Sequence, residues 1–298
     1  MCVKNEVRSA AGAVGHNTVG SRKDAIRLFF LIKKEIRLAF SPFSEGNEAR
    51  TPAEVFAIRP EGGPNTPGWR VRVVPDKYPV LGIEGDIEVH RDGASEWREG
   101  VGIHEVVVES ADAAKDLADL SAIQASDVFR ACQARILDLR RDRRLRYLLV
   151  FKNHGVEAGS TIAHSHTQII GLPITPITVR QELTASRKHF EKEQSCLFCN
   201  HLSSELSSGA RIVCQNEHFL VYCPFASRFP FKMTVCPVAH SHDFAEAGDD
   251  LMVSFGEIMQ EALVRLRKTL KDPPYNFCPS HGTERRVGTT PKRALGVT

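Results

Sequence analysis

The stretch 145–173 constrains this chain more than any other. LRYLLVF (145–151) reads as a buried strand, a polar glycine-containing loop follows, and HSHTQIIGLP (164–173) returns as a second strand. On a strand, residues two apart share a face. His164, His166 and Gln168 therefore line up on one side, with about 6–7 Å between neighbours. Two imidazoles in register with an amide make a poor core face, because buried ring nitrogens require partners. The loop before them carries Gly155, Gly159, Ser160 and Thr161, whose backbone N–H groups and hydroxyls can hold an anion such as phosphate. The arrangement suits a histidine nucleophile aimed at phosphorus, since an imidazole is largely neutral near pH 7 and attacks without a separate base. The competing reading is a pair of surface histidines on an edge strand. The apolar continuation IIGLP, the Gly/Ser/Thr loop and Asn153 weigh against it.

Around this segment the pattern is that of an α+β protein. RVRVVP (70–75) alternates like a half-buried strand, GIHEVVVES (102–110) is another, and Leu117 to Leu139 has the period of a long amphipathic helix with Ser121 or Asp119 as caps. Residues 176–195 are helical and charged, as suits a connector. Strands are then expected at RIVCQN (211–216), HFLVYCP (218–224) and KMTVCPV (232–238), followed by a helix from about Asp249 to Leu270. Both halves run turn, strands, long helix and final strand, which points to a duplicated unit with a mostly antiparallel sheet and helices packed on it. After PPYNF (273–277) the pattern stops, so the second copy reads as truncated. The expected division is a poorly defined segment at 1–40, a catalytic half at 41–175, the connector at 176–195, a second half at 196–277 and an irregular tail at 278–298. Within the first segment, Lys23 to Phe40 is helix-like.

Composition narrows the function classes. With 39 basic against 36 acidic residues among 298, the net charge of +3 gives no global field for nucleic acid. The run Arg140, Arg141, Arg143, Arg144, Arg146 reads as the solvated end of a helix. No stretch reaches the roughly 18 apolar residues of a membrane span, and Leu28 to Ile32 is too short and too charged for a signal peptide. The expectation is a cytoplasmic protein with no membrane partner. Of eight cysteines only Cys196 and Cys199 have C-x-x-C spacing, which reads as metal or redox chemistry. Cys214, Cys223 and Cys236 fall on expected strands as small core residues.

NHGVEAGSTIAHSHTQIIGLP (153–173) resembles the active-site segment of the galactose-1-phosphate uridylyltransferases, a branch of the histidine-triad superfamily. Residues 41–81 and 211–244 are similar to that family's amino-terminal stretch and second half, so the resemblance covers roughly 41–277. It implies a ping-pong transfer. His166 attacks the α-phosphorus of a nucleoside-diphosphate sugar and releases hexose 1-phosphate; the nucleotidyl-histidine then passes its nucleotide, UMP first, to a second sugar phosphate or to inorganic phosphate. Gln168 and Ser160 or Thr161 would bind phosphoryl oxygens with Gly159, and Asn153 would orient the loop. Asp76 would stand near the nucleotide where the family usually has asparagine. An ADP-glucose phosphorylase-like adenylyltransferase, a dinucleoside-polyphosphate phosphorylase and a non-catalytic zinc- or nucleotide-binding paralogue are the alternatives. A homodimer is implied.

The same resemblance bears on Zn²⁺. The family's first zinc site uses a C-P-F-C turn, a histidine before the long helix and the first histidine of H-x-H. Here the turn is Ser41-Pro42-Phe43-Ser44, Asp112–Ala114 lacks the histidine, and only His164 remains of the set. A hydroxyl and one imidazole do not hold zinc tightly, so this site is expected to be lost. Cys196, Cys199 and His240 resemble a second zinc set, with His242 competing for the histidine role and His281 or Cys278 as candidates for a fourth ligand. Glu182 resembles a carboxylate ligand of a separate second-half metal.

Overall fold

The computed structural model describes residues 41–241, 243–278 and 295–297; the helix-like stretch 23–40, His242 and His281 lie outside them. Ten strands form one antiparallel sheet. They are β1 (Phe56–Ile58), β2 (Val71–Pro75), β5 (Ile103–Val108), β6 (Tyr147–His154), β7 (His166–Leu172), β8 (Ile212–Gln215), β9 (Phe219–Tyr222), β10 (Met233–Pro237), β11 (Tyr275–Cys278) and β12 (Leu295–Val297). Their spatial order is β1-β2-β5-β7-β6-β11-β12-β10-β9-β8. A separate hairpin, β3 (His90–Asp92) with β4 (Ser95–Trp97), has no counterpart among the expected elements. Its strands are three residues each, too short for alternation to show.

Two long helices cover the sheet. Helix α1 (Ala122–Leu139) starts later than the apolar period suggests, because Ser121 caps it: its hydroxyl accepts from Gln124 N–H while the Gln124 side chain accepts from the Ser121 N–H. The later helices are α2 (Ile177–Glu193), α3 (Leu197–Ser208) and α4 (Asp249–Leu270). The last has Asp249 and Asp250 in its first turn and Arg267 and Lys268 in its last, matching the helix dipole at both ends. Helices α1 and α4 pack on each other and on the sheet. Phe129 of α1 meets Phe255 of α4 at 4.5 Å between ring centroids, and Phe255 meets Phe219 of β9 at 5.3 Å. One apolar core thus runs from Val73 and Val107 through Leu148 and Ile169 to Val221, Val235 and Phe277.

One expectation needs correcting. The tail at 278–298 is not wholly irregular: β12 lies between β11 and β10, and Gly296 pairs with Cys278 on one side and Thr234 on the other. Three residues containing a glycine carry no readable period, which is why the strand was invisible and the second half looked truncated. CLFCN (196–200) lies at the start of a helix. Cys196 stands at the N-cap position of α3, without a side-chain capping bond, and Cys199 lies in the helix's first turn.

Candidate active site on the His166 strand

Strand β7 lies between β5 and β6, with His166 opposite Val108 and Gln168 opposite Val106 on one side and Phe151 on the other. The pleat sends alternate residues to opposite faces. His166 and Gln168 line a cavity of about 300 Å³ together with Gly159, Thr161, Asp76, Lys77, Arg50 and Phe43. Ser165 and Thr167 point the other way, into a fully buried ion pair. There Lys152 Nζ donates to both oxygens of Glu109, at 2.9 and 2.8 Å, and to Ser165 Oγ at 2.7 Å. Ser165 and Thr167 each donate a 2.6 Å hydrogen bond to Glu109. Strand β7 is therefore clamped from behind by a charged network in which each Glu109 oxygen has two donors.

His166 Nδ1 lies 2.8 Å from the His164 carbonyl oxygen. A carbonyl only accepts, so the proton sits on Nδ1 and the lone pair is left on Nε2. Burial, followed by the Lys152 ammonium, pushes the His166 imidazole below the ordinary histidine value, which favours the neutral form a nucleophile requires.

His164 is placed differently from a metal ligand. Its Nε2 donates to the Ser110 carbonyl at 2.7 Å and its Nδ1 lies 3.0 Å from Ser41 Oγ, which itself accepts from Phe43 N–H. Both nitrogens are occupied, and among the described residues His164 belongs to no group of converging ligands. The structure thus gives His164 hydrogen-bond partners on both ring nitrogens, which hold it as an orienting residue rather than as a member of a ligand set.

The loop before β7 turns at Gly155 and Gly159, whose φ values of +86° and +91° suit glycine. Ser160 donates its hydroxyl to the Ile162 carbonyl, so of the pair Ser160 and Thr161 it is Thr161 that faces the cavity. Asn153 gives its carbonyl oxygen to Asn276 of β11 at 2.6 Å, and Asn276 also donates to Ala158 O; Asn153 thus braces the loop. Asp76 lines the cavity and accepts from Tyr78 N–H at 2.7 Å. His154, which follows Asn153, stacks on Tyr275 at 4.7 Å and pairs with Asp272.

Three residues of the site, Arg50, Lys77 and His104, were missed in the sequence. His104, buried on β5, has Nε2 2.9 Å from Gln168 Oε1 and 3.5 Å from Asp76 Oδ2. The available signal was a lone imidazole in GIHEVVVES, in period with Val106 and Val108 on the cavity face.

The second candidate site brings together what the sequence grouped. Cys196 Sγ, Cys199 Sγ and a ring nitrogen of His240 lie within 4.8 Å of one another, with Cys199 Sγ 3.3 Å from His240 Nδ1. Glu182 lies on α2 and, among the described residues, joins no ligand group. Cys132, Cys214 and Cys236 are buried, and burial pushes the Cys214 thiol up to about 11, as expected of inert core thiols. The arginine run is largely paired: Arg140 with Asp243, Arg144 with Asp142. No helix among the described residues is long and apolar enough to cross a membrane.

Comparison with known proteins agrees with the geometry. Residues 101–174 match the family model described as the N-terminal domain of a domain of unknown function, DUF4931. The chain is 32% identical over 238 residues to an ADP-glucose phosphorylase of Arabidopsis thaliana, covering 79% of this chain and 65% of that protein. It is 29% identical over 194 residues to a galactose-1-phosphate uridylyltransferase of Thermotoga maritima, covering 65% and 60%. The chain therefore spans somewhat under two thirds of the length of these relatives. A crystal structure of the Arabidopsis ADP-glucose phosphorylase with bound ADP-glucose superposes with a TM-score of 0.75 at 28% identity, over 86% of this chain and 79% of that one. The fold, the histidine strand and these likenesses together make the chain a member of the galactose-1-phosphate uridylyltransferase-like family.

Proposed function

We propose that this chain is a nucleotidyltransferase that carries a nucleoside monophosphate on His166, with ADP-glucose as the foremost donor. The observation that carries the reading is the tautomer of His166: Nδ1–H is spent on the His164 carbonyl, leaving the Nε2 lone pair at the wall of a cavity lined by Gly159, Thr161 and Gln168. Nε2 attacks the α-phosphorus of a nucleoside-diphosphate hexose; a P–N bond forms, the P–O bond to the bridging oxygen breaks, and hexose 1-phosphate leaves with that electron pair. An oxygen of inorganic phosphate or of a second sugar phosphate then attacks the same phosphorus and restores the imidazole. Thr161, Gln168 and the loop N–H groups stabilise charge on the non-bridging oxygens, while Arg50 and Lys77 offset the phosphate charge. The likeness to the ADP-glucose phosphorylase over 79% of the chain puts ADP-glucose and inorganic phosphate first. The uridylyl reading, UDP-glucose with a hexose 1-phosphate, is second and is favoured by the Thermotoga maritima relative.

The test is the intact mass after brief incubation with ADP-glucose or UDP-glucose, beside His166→Ala. A gain of one nucleoside monophosphate, absent in the variant, is expected. No gain with either donor in folded protein would sink the proposal.

The donor set Cys196, Cys199 and His240 fits zinc, since two cysteine sulfurs and an imidazole converge within 4.8 Å of one another and are the ligand types a tetrahedral zinc site takes. When bound, the ion would supply a structural cross-link between the start of α3 and the segment after β10. Metal analysis of purified protein should find zinc, and Cys199→Ser should lower both its content and the melting temperature.

A further inference from the structure

We propose that His104 is a positioning residue that fixes which end of the Gln168 amide faces the reacting phosphate. The proposal rests on the nucleotidyl-transfer reading above and concerns a residue outside the histidine segment.

The argument turns on which ring nitrogen of His104 carries hydrogen. Nδ1 lies 3.4 Å from the backbone nitrogen of Val80, an obligate donor, so Nδ1 must accept. Nε2 lies 3.5 Å from Asp76 Oδ2, and an ionised carboxylate only accepts, so Nε2 must carry the hydrogen. Two groups from the segment after β2 therefore impose the same tautomer from opposite edges of the ring. The backbone supports this pairing, because Asp76 N–H donates to the His104 carbonyl at 2.9 Å. With Nε2–H as a donor, the Gln168 side chain 2.9 Å away has to present its carbonyl oxygen to His104. Its NH₂ group is then the end left for the cavity, and it is a donor, as a phosphoryl oxygen gaining charge requires. Turned the other way, the amide would set N–H against N–H at His104 and offer a carbonyl oxygen to an anion.

This also gives Asp76 a role. A carboxylate on the wall of a phosphate cavity repels the substrate, yet here one oxygen is held by Tyr78 N–H at 2.7 Å and the other faces His104. Asp76 helps choose the His104 tautomer, and through it the donor end of Gln168.

The tautomer is read first, by ring ¹⁵N–¹H correlation on the whole chain, with the His104 signal assigned by its loss in His104→Phe. The Nε2–H form is expected; an Nδ1–H form overturns the proposal, whether or not the protein turns over. Next comes the single-turnover rate of nucleotidyl-enzyme formation. Losing an oriented donor should slow His104→Phe by about 10- to 100-fold, with little change in the half-saturating donor concentration. His104→Gln, which can place an N–H near the Nε2 position, should recover most of the rate. His104→Phe combined with Gln168→Ala should be no slower than Gln168→Ala alone, because both remove one donor. Multiplying effects in the double variant would show that His104 acts only through packing and would overturn the proposal. If the wild-type chain forms no adduct with any sugar nucleotide, the nucleotidyl-transfer reading fails, and the tautomer still decides for or against His104.

Discussion

Ser41 stands where the resembled family carries a zinc-binding cysteine, and its hydroxyl contacts His164 Nδ1 while accepting from Phe43 N–H. The Ser41 turn and the Ser110 carbonyl hold the His164 ring between them, and the His164 carbonyl in turn accepts from His166 Nδ1–H. Because His164 is buried, removing its partner leaves an unsatisfied ring nitrogen. Ser41→Ala should cost about 1–3 kcal/mol, read from the urea midpoint. An unchanged midpoint would show that the hydroxyl is not holding the ring. His166 makes a second prediction. With its pKa pushed down by burial, His166 stays unprotonated to lower pH than an ordinary histidine. The rate of adduct formation should be flat from pH 8 to 6.5 and fall only at lower pH; a fall beginning above 6.5 would contradict that placement.

At the scale of elements, the sequence was most legible where a period is long. Helix α4 occupies the expected 249–270, and the seven expected strands from 70 to 238 are present as β2, β5, β6, β7, β8, β9 and β10. Legibility failed where elements are short: the β3–β4 hairpin and β12 have three residues per strand. At the site, His166, Gln168, Gly159 and Thr161 were readable because one strand and one loop carry them. His104 was not, since its meaning comes from partners 24 and 64 residues away. The α1–α4 contact was equally hidden. A methyl on Gly256 would collide with Ser126 Oγ and lie 2.5 Å from Ser126 N and 2.7 Å from its Cα, so α4 crosses α1 almost backbone to backbone. Gly256→Ala gains roughly 1 kcal/mol of helix propensity and loses about 1–3 kcal/mol or more to overpacking against a backbone that cannot step aside. Net destabilisation by thermal melting is expected; stabilisation would mean that the helices can part.

At the scale of the molecule, the pH dependence of stability follows from which groups fold into protected states. The buried Glu109 carboxyl is pushed up by desolvation, but the Lys152 ammonium and the Lys152, Ser165 and Thr167 hydrogen bonds outweigh this and hold it below the usual range. Burial holds His164 and His166 below 6.5. For all three the folded state binds protons more weakly than the unfolded one. Their stability is therefore present above the unfolded values and lost as pH falls through the folded ones. Two windows result, one opening near 6.5 for the histidines and a second near 4.5 for Glu109. Melting temperature should start to fall below pH 6.5, less steeply in His164→Asn or His166→Asn, and then fall again below 4.5. The ion pair itself should show the asymmetry of buried charges. Lys152→Met strands a buried carboxylate and should cost about 3–5 kcal/mol near neutral pH. Adding Glu109→Gln removes the charge while keeping an acceptor for Thr167 Oγ1, so the double variant should melt higher than Lys152→Met alone. A double variant less stable than that single one would mean that Glu109 stays ionised without its lysine, sustained by hydroxyl donors alone.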